Sequence, residues 1–66
     1  MIRIDRNNIP EYMKECIIDN PNKAGIVIDE NNFMHFVDKV YESHILTSDG
    51  KILNFNKDLI FISEDF

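Results

Sequence analysis

Three side chains in this sequence are soft enough to favour a bound metal ion: Cys16, His35 and His44. The histidines lie nine positions apart, and neither they nor the single cysteine follow the ligand spacing of zinc sites. A metal site would therefore need carboxylate help from Asp38 or Glu42. We expect no metal centre, a buried cysteine, and histidines that are exposed or half-buried.

Two other patterns point to chemistry that the rest of the sequence does not support. Ser43 precedes His44 like a nucleophile beside its base, but adjacent side chains point to opposite faces of a strand and do not meet on a helix. Residues 29–32 resemble the start of a calcium loop, but Met34 replaces its glycine and Val40 its bidentate glutamate. Two glycines cannot build a phosphate-binding loop. We predict no catalytic residue, no cofactor and no enzyme activity.

The acidic residues are the other candidates for function. The net charge is −5, from 12 acidic and 7 basic residues among 66, and the acids are spread over both halves of the chain. This charge repels nucleic acid and complements a basic protein surface, although it also suits an ordinary solvated surface. Exposed aromatic residues often anchor interfaces. The predicted partner-binding residues are Asp29, Glu30, Asp38, Tyr41, Glu42, Glu64, Asp65 and Phe66.

A helix is predicted over residues 9–19, ahead of most of these side chains. Ile9 and Met13 have the spacing of one apolar helical face. Pro10 suits a first helical turn, where its missing N–H group is not needed. Pro21 ends the helix because it disfavours helical geometry at the residue before it.

Short strands are predicted for the rest of the chain. A β-branched run favours a buried strand at residues 24–29, and the Asp-Gly pair at 49–50 indicates a hairpin turn. Residues 33–44 fit either one apolar helical face or two strands that break at Asp38-Lys39, and the pattern leaves both alternatives open. Phe36, Phe55 and Phe61 are expected in the core. The predicted hairpin and closing strands are residues 44–47, 51–55 and 59–62.

The segment VYESHILTSDGKILNFNKDLIFIS, residues 40–63, is similar to the closing strands of SH3-like or Tudor-like small barrels. It lacks the aromatic cage and the Pro-binding aromatic row of such modules, so the resemblance implies architecture and no function. The predicted fold class is α+β, in one domain over residues 1–66. An N-terminal helix would pack on a small antiparallel β-meander, and an SH3-like barrel is one form of that meander.

Small size, acidity and the lack of a catalytic constellation favour a non-catalytic interaction module. It would be an inhibitor, adaptor or regulatory protein docking on a larger, partly basic protein, such as a nucleic-acid-handling host protein. Eleven isoleucines and eight asparagines suit AT-rich codons, as in phages and low-GC bacteria. No apolar run has the length of a signal peptide or a membrane span, which predicts a cytoplasmic protein without membrane contact. The alternative is a nucleic-acid-binding small barrel, and self-association is compatible with either.

Overall fold

Seven short strands form the framework of the protein in a computed structural model that describes residues 2–64. All the strand pairs are antiparallel. One four-residue helix and one 3₁₀ turn are the other regular elements of the described residues. In chain order the elements are β1 (Ile2–Arg3), α1 (Glu11–Lys14), β2 (Ile17–Ile18), the 3₁₀ turn (Pro21–Lys23), β3 (Ala24–Ile28), β4 (Phe33–Val40), β5 (His44–Thr47), β6 (Ile52–Asn54) and β7 (Ile60–Ser63).

Strand β4 connects the two parts of the sheet, whose strand order is β2-β7-β3-β4-β5-β6. One edge of β4 pairs with β3, while the other pairs with β1 near Met34 and with β5 from Val37 to Val40. The register of β4 and β5 shifts between Val37 and Lys39. Such an irregularity bends a strand and increases its twist. The later strands therefore fold back over the earlier ones, an architecture compatible with a small barrel-like fold.

Strand β3 contributes to two apolar clusters because its side chains alternate between its faces. Ile26 and Ile28 face the first cluster, and Val27 faces the second. Burial on both faces explains why this strand is a continuous apolar run. The buried members of the first cluster are Met13, Ile26, Ile28 and Ile62, and those of the second are Val27, Ile45 and Leu59.

The helix predicted over residues 9–19 is wrong, and so is the α+β fold of an N-terminal helix packed on a meander. Within residues 9–19 only Glu11–Lys14 is α-helical, and Ile17–Ile18 pairs with β7 instead. A short isolated helix is only marginally stable, whereas pairing with β7 satisfies backbone groups at a sheet edge. The fold is an antiparallel sheet with one helical turn. None of the helices within residues 2–64 is long and apolar enough to cross a membrane.

The strand alternative is the correct one for most of residues 33–44, since Phe33–Val40 forms β4. The predicted break at Asp38-Lys39 is wrong, because β4 continues to Val40 and β5 begins at His44. Phe36 does not fill the core as expected, because 53% of its surface is exposed. Phe55 and Phe61 do pack against the second cluster. The predicted hairpin is confirmed: β5 and β6 pair across a turn in which Gly50 has a φ of 87°.

Candidate interaction surface

A buried pair of polar side chains, Asp29 and His35, lies at the turn between β3 and β4. His35 Nε2 is 2.8 Å from Asp29 Oδ2, and the two residues are 3% and 7% exposed. Asp29 Oδ1 accepts hydrogen bonds from the N–H groups of Asn31 and Phe33 at 2.8 and 3.0 Å. Burial alone would raise the pKa of Asp29, but the hydrogen bonds from His35 and the two N–H groups outweigh it and lower that pKa. The carboxylate is thus occupied within the protein.

Arg6 ties the N-terminal segment to the same turn. Its Nη2 donates to the backbone carbonyl of Asp29 at 2.7 Å, and its Nε donates to Asn32 Oδ1 at 3.0 Å. Asn32 has a φ of 67°, a left-handed conformation that asparagine adopts more readily than most residues. These contacts hold the start of β4, and with it the backbone of His35, in place.

The second ring nitrogen of His35 faces the turn between β5 and β6. His35 Nδ1 is 3.8 Å from Asp49 Oδ1, and the hydroxyl of Thr47 donates a hydrogen bond to that carboxylate. This hydrogen bond lowers the pKa of Asp49. Thr47 Oγ1 also accepts from the N–H group of Lys51 at 2.9 Å. Each ring nitrogen of His35 therefore faces a carboxylate of its own chain, and the imidazole links two turns.

A shallow depression of about 260 Å³ opens beside His35. Ile2 and Phe36 flank it and are 55% and 53% exposed. Because Ile2 pairs with the residue two positions before Phe36, the two are diagonal neighbours across β1 and β4. Asp49, whose side chain is 49% exposed, forms part of the polar rim. We call this the Phe36 surface, and its residues are Ile2, Met34, His35, Phe36, Ser48 and Asp49.

A larger depression, of about 430 Å³, lies beside α1. Its charged lining residues are Arg6, Glu11 and Lys14, which are of mixed sign. Arg6 is already bound to the turn before β4. This depression therefore shows no preference for a ligand of either charge.

Five of the eight predicted partner-binding residues lie at or near the two ends of β4. Asp29 is buried and hydrogen-bonded internally, so it is not available to a partner, whereas Glu30 beside it is exposed. Asp38 is exposed on β4, and Tyr41 and Glu42 are exposed just after it. An extended strand of eight residues spans roughly 25 Å, so the two groups are well separated along β4.

The other three predicted residues are at the C-terminal end of the chain. Glu64 is exposed after β7, and its N–H group donates to the backbone carbonyl of Lys23 at 3.3 Å. Asp65 and Phe66 lie outside the described residues. Whether any of these side chains contacts a partner stays a prediction.

Ser43 and His44 meet, contrary to the expectation from strand geometry. Ser43 Oγ is 3.0 Å from His44 Nδ1, because Ser43 precedes β5 and lies in the turn rather than on the strand. The His44 ring stacks on Tyr41 with centroids 4.7 Å apart. Within residues 2–64 no hydrogen bond or ion pair joins His44 to a carboxylate. The pair therefore lacks the third group that orients the base of a triad.

The histidines and the cysteine are not gathered into a metal site. No group of three His, Cys, Asp or Glu side chains in the described part of the chain could hold a metal ion. Cys16 is half-buried against the first apolar cluster, and its thiol donates to the carbonyl of Tyr12 at 3.6 Å. His35 is buried, which corrects the expectation that both histidines are exposed or half-buried.

Sequence reasoning missed Ile2, Phe36 and Asp49 of the Phe36 surface. Strand alternation could have placed Met34 and Phe36 on one face of β4. It could not show that the N-terminal segment covers Met34 and leaves Phe36 largely open, because that depends on contacts between distant segments.

Comparisons of the chain with protein-family models, with curated proteins and with solved structures found no match. The function proposed below rests on the side chains and charges of this chain.

Proposed function

We propose that this protein is a non-catalytic interaction module that docks, through the Phe36 surface, on a partly basic surface of a larger protein. One observation carries the proposal: Ile2 and Phe36 are more than half exposed side by side, next to the carboxylate of Asp49. In this role the protein is an inhibitor, an adaptor or a regulatory subunit that acts in the cytoplasm. Its sheet serves as an SH3-like or Tudor-like scaffold for the docking surface.

The chemistry of the Phe36 surface suits a protein partner. Aromatic side chains are enriched among the residues that carry most of the binding energy of interfaces. Asp49 can accept hydrogen bonds from a Lys or Arg at the edge of the contact, where a charge directs the partner more than it adds affinity. His35 beneath the depression is fixed by Asp29, so little side-chain freedom is lost there on binding.

The charge of the whole chain supports the same partner class. A net charge of −5 attracts a basic surface and repels phosphate backbones. The catalytic alternative has little support, because both ring nitrogens of His35 face carboxylates and the Ser43–His44 pair has no orienting acid among residues 2–64.

The test is affinity capture from a presumed host lysate, with and without nuclease, using the wild type and two matched variants. Phe36→Ala removes the central aromatic side chain, and Tyr12→Ala removes one that is 66% exposed on α1. We expect a stoichiometric protein that survives nuclease, elutes with salt, and is lost only with Phe36→Ala. In titrations with that protein, Phe36→Ala should weaken binding by about thirtyfold, as for an interface residue worth about 2 kcal/mol.

Two outcomes would contradict the proposal. Equal capture by Phe36→Ala and the wild type would exclude this surface, provided that circular dichroism shows both proteins folded. A signal that disappears on nuclease treatment would favour the small-barrel nucleic-acid-binding alternative, for which binding weakens steeply with salt.

A further inference from the structure

Strand β6 is an edge of the sheet, and no other strand within residues 2–64 pairs with its outer side. Thr47 N–H donates to Lys51 C=O at 2.9 Å, and Phe55 N–H donates to Ser43 C=O at 3.2 Å. Hydrogen-bonded pairs alternate with non-bonded pairs along an antiparallel ladder. The intervening residues of β6 that pair with Leu46 and His44 therefore direct their backbone groups away from β5. These residues are Ile52 and Asn54.

As far as the described residues show, three backbone groups of β6 are open to a further strand. They are the N–H and C=O groups of Ile52 and the N–H group of Asn54. The carbonyl of Asn54 already accepts from Asn56 Nδ2 at 3.2 Å, although a carbonyl oxygen has two lone pairs. Ile52 is 63% exposed, so the edge is also apolar. Such an edge is a template for pairing with another extended chain.

A groove of about 280 Å³ runs beside this edge. Leu53 and Leu59 provide apolar contacts, and Glu30 is the one charged residue among residues 2–64 that lines it. Glu30 is exposed and takes part in no ion pair among residues 2–64. The groove therefore suits a side chain with an apolar stem and a positive end, which describes Lys and Arg.

We propose that β6 binds an extended segment of a partner protein as an added antiparallel strand, with a Lys or Arg of that segment in the groove beside Glu30. The partner residue opposite Leu53 carries the positive charge. Its side chain lies on the same face of the sheet as the side chain of Leu53, which is the face with the groove. The residue after it lies opposite Ile52 and is apolar. The recognised pattern from N- to C-terminus is thus polar, basic, apolar.

The charge at the groove favours such a segment over a second copy of this chain. Two copies would each bring a net charge of −5, and like charges disfavour their association. The site is separate from the Phe36 surface, since the two depressions have no lining residue in common among residues 2–64. The β6 proposal can therefore fail or succeed independently of the proposed function.

The test uses NMR titration of the wild-type chain with a synthetic peptide containing Thr-Thr-Arg-Val-Thr. Two peptides with one N-methyl group each provide the decisive comparison. The valine N–H faces β6 in the added strand, and the arginine N–H faces away from it. We expect N-methylation of the valine to weaken binding at least about tenfold, and N-methylation of the arginine to leave it unchanged, because only the first removes a hydrogen bond and adds a clash.

Charge is tested by Glu30→Lys against the same peptide and against one with glutamate in place of arginine. The wild type should bind the arginine peptide more tightly than the glutamate peptide, and Glu30→Lys should show the opposite preference. Phe36→Ala should bind both peptides as the wild type does. Amide shifts should centre on Ile52 and Asn54. Equal effects of the two N-methyl groups, shifts centred on Phe36, or no binding of the arginine peptide would overturn the proposal. Concentration-dependent dimerisation through β6 without peptide would also overturn it, because the occupant would then be a second copy.

Discussion

Asp29 is the residue on which the local structure depends most directly. Its two carboxylate oxygens meet His35 and two backbone N–H groups, and its own carbonyl accepts from Arg6. These contacts join the N-terminal segment, the turn before β4 and the buried histidine. A partner-binding role for Asp29 would have to break them, and unpaired buried polar groups are costly.

We expect Asp29→Ala to lower the free energy of unfolding by about 3 kcal/mol, since it leaves a buried ring nitrogen of His35 and two N–H groups without partners. Asp29→Asn keeps one acceptor oxygen and should therefore lower the free energy of unfolding by less than Asp29→Ala does. The measurement is urea unfolding followed by circular dichroism. Glu30→Ala is the matched control, because Glu30 is exposed in the same turn and should change stability by less than about 0.5 kcal/mol. Equal losses for Asp29→Ala and Glu30→Ala would contradict the structural role of Asp29.

At the level of elements, the β5–β6 hairpin contributes to both proposed surfaces. Its turn carries Asp49 of the Phe36 surface, and its second strand is the edge strand β6. The turn depends on Gly50, whose φ of 87° is rarely adopted by other residues. Apart from its two chain neighbours, a Cβ atom at Gly50 would meet no heavy atom of residues 2–64 within 4 Å, so its backbone conformation is what restricts substitution.

We therefore expect Gly50→Val to lower the free energy of unfolding by about 2 kcal/mol, because a β-branched residue is strongly disfavoured at positive φ. Gly50→Asn should lower the free energy of unfolding by clearly less than Gly50→Val, since asparagine tolerates a positive φ better. Thermal unfolding of the three proteins measures the difference. If valine and asparagine were equally tolerated, positive φ at this position could not be a requirement of the fold.

At the level of the whole molecule, the lowered pKa of Asp29 links folding to pH. An aspartate has an ordinary pKa of about 3.9 in an unfolded chain. The folded protein then binds fewer protons than the unfolded chain near that pH. The stabilisation is present above the unfolded pKa and is lost as pH falls through the folded pKa. Asp49 also makes the folded protein less stable as the pH falls, because its pKa is lowered as well.

We expect the free energy of unfolding to fall as the pH is lowered from about 5 to about 2, with a smaller decline in Asp29→Asn. Urea unfolding at a series of pH values gives the slope of the unfolding free energy against pH, which is proportional to the difference in bound protons between the unfolded and folded states. Asp38→Asn, at an exposed position on β4, is the control and should keep the wild-type slope. An identical decline in Asp29→Asn and the wild type would show that Asp29 is not the linked group.

Several features of this protein follow from the sequence by itself. The β-branched run of β3 and the Asp-Gly turn before β6 were predictable because they depend on neighbouring residues. The same holds for the absence of a zinc or phosphate-loop motif, which is a matter of residue types and spacing. The net charge is also a property of composition, whereas the class of partner argued from it stays a proposal.

Other features were decided only by tertiary structure. The helical spacing around Met13 is real, but pairing of Ile17–Ile18 with β7 ended the helix after one turn. Asp29 has the residue type of a surface acid, yet the approach of His35 and Arg6 made it internal. Phe36 has the residue type of a core aromatic, yet the N-terminal segment leaves it exposed. Periodicity reports which residues share a face, whereas exposure depends on segments distant in sequence, and only the folded chain brings these together.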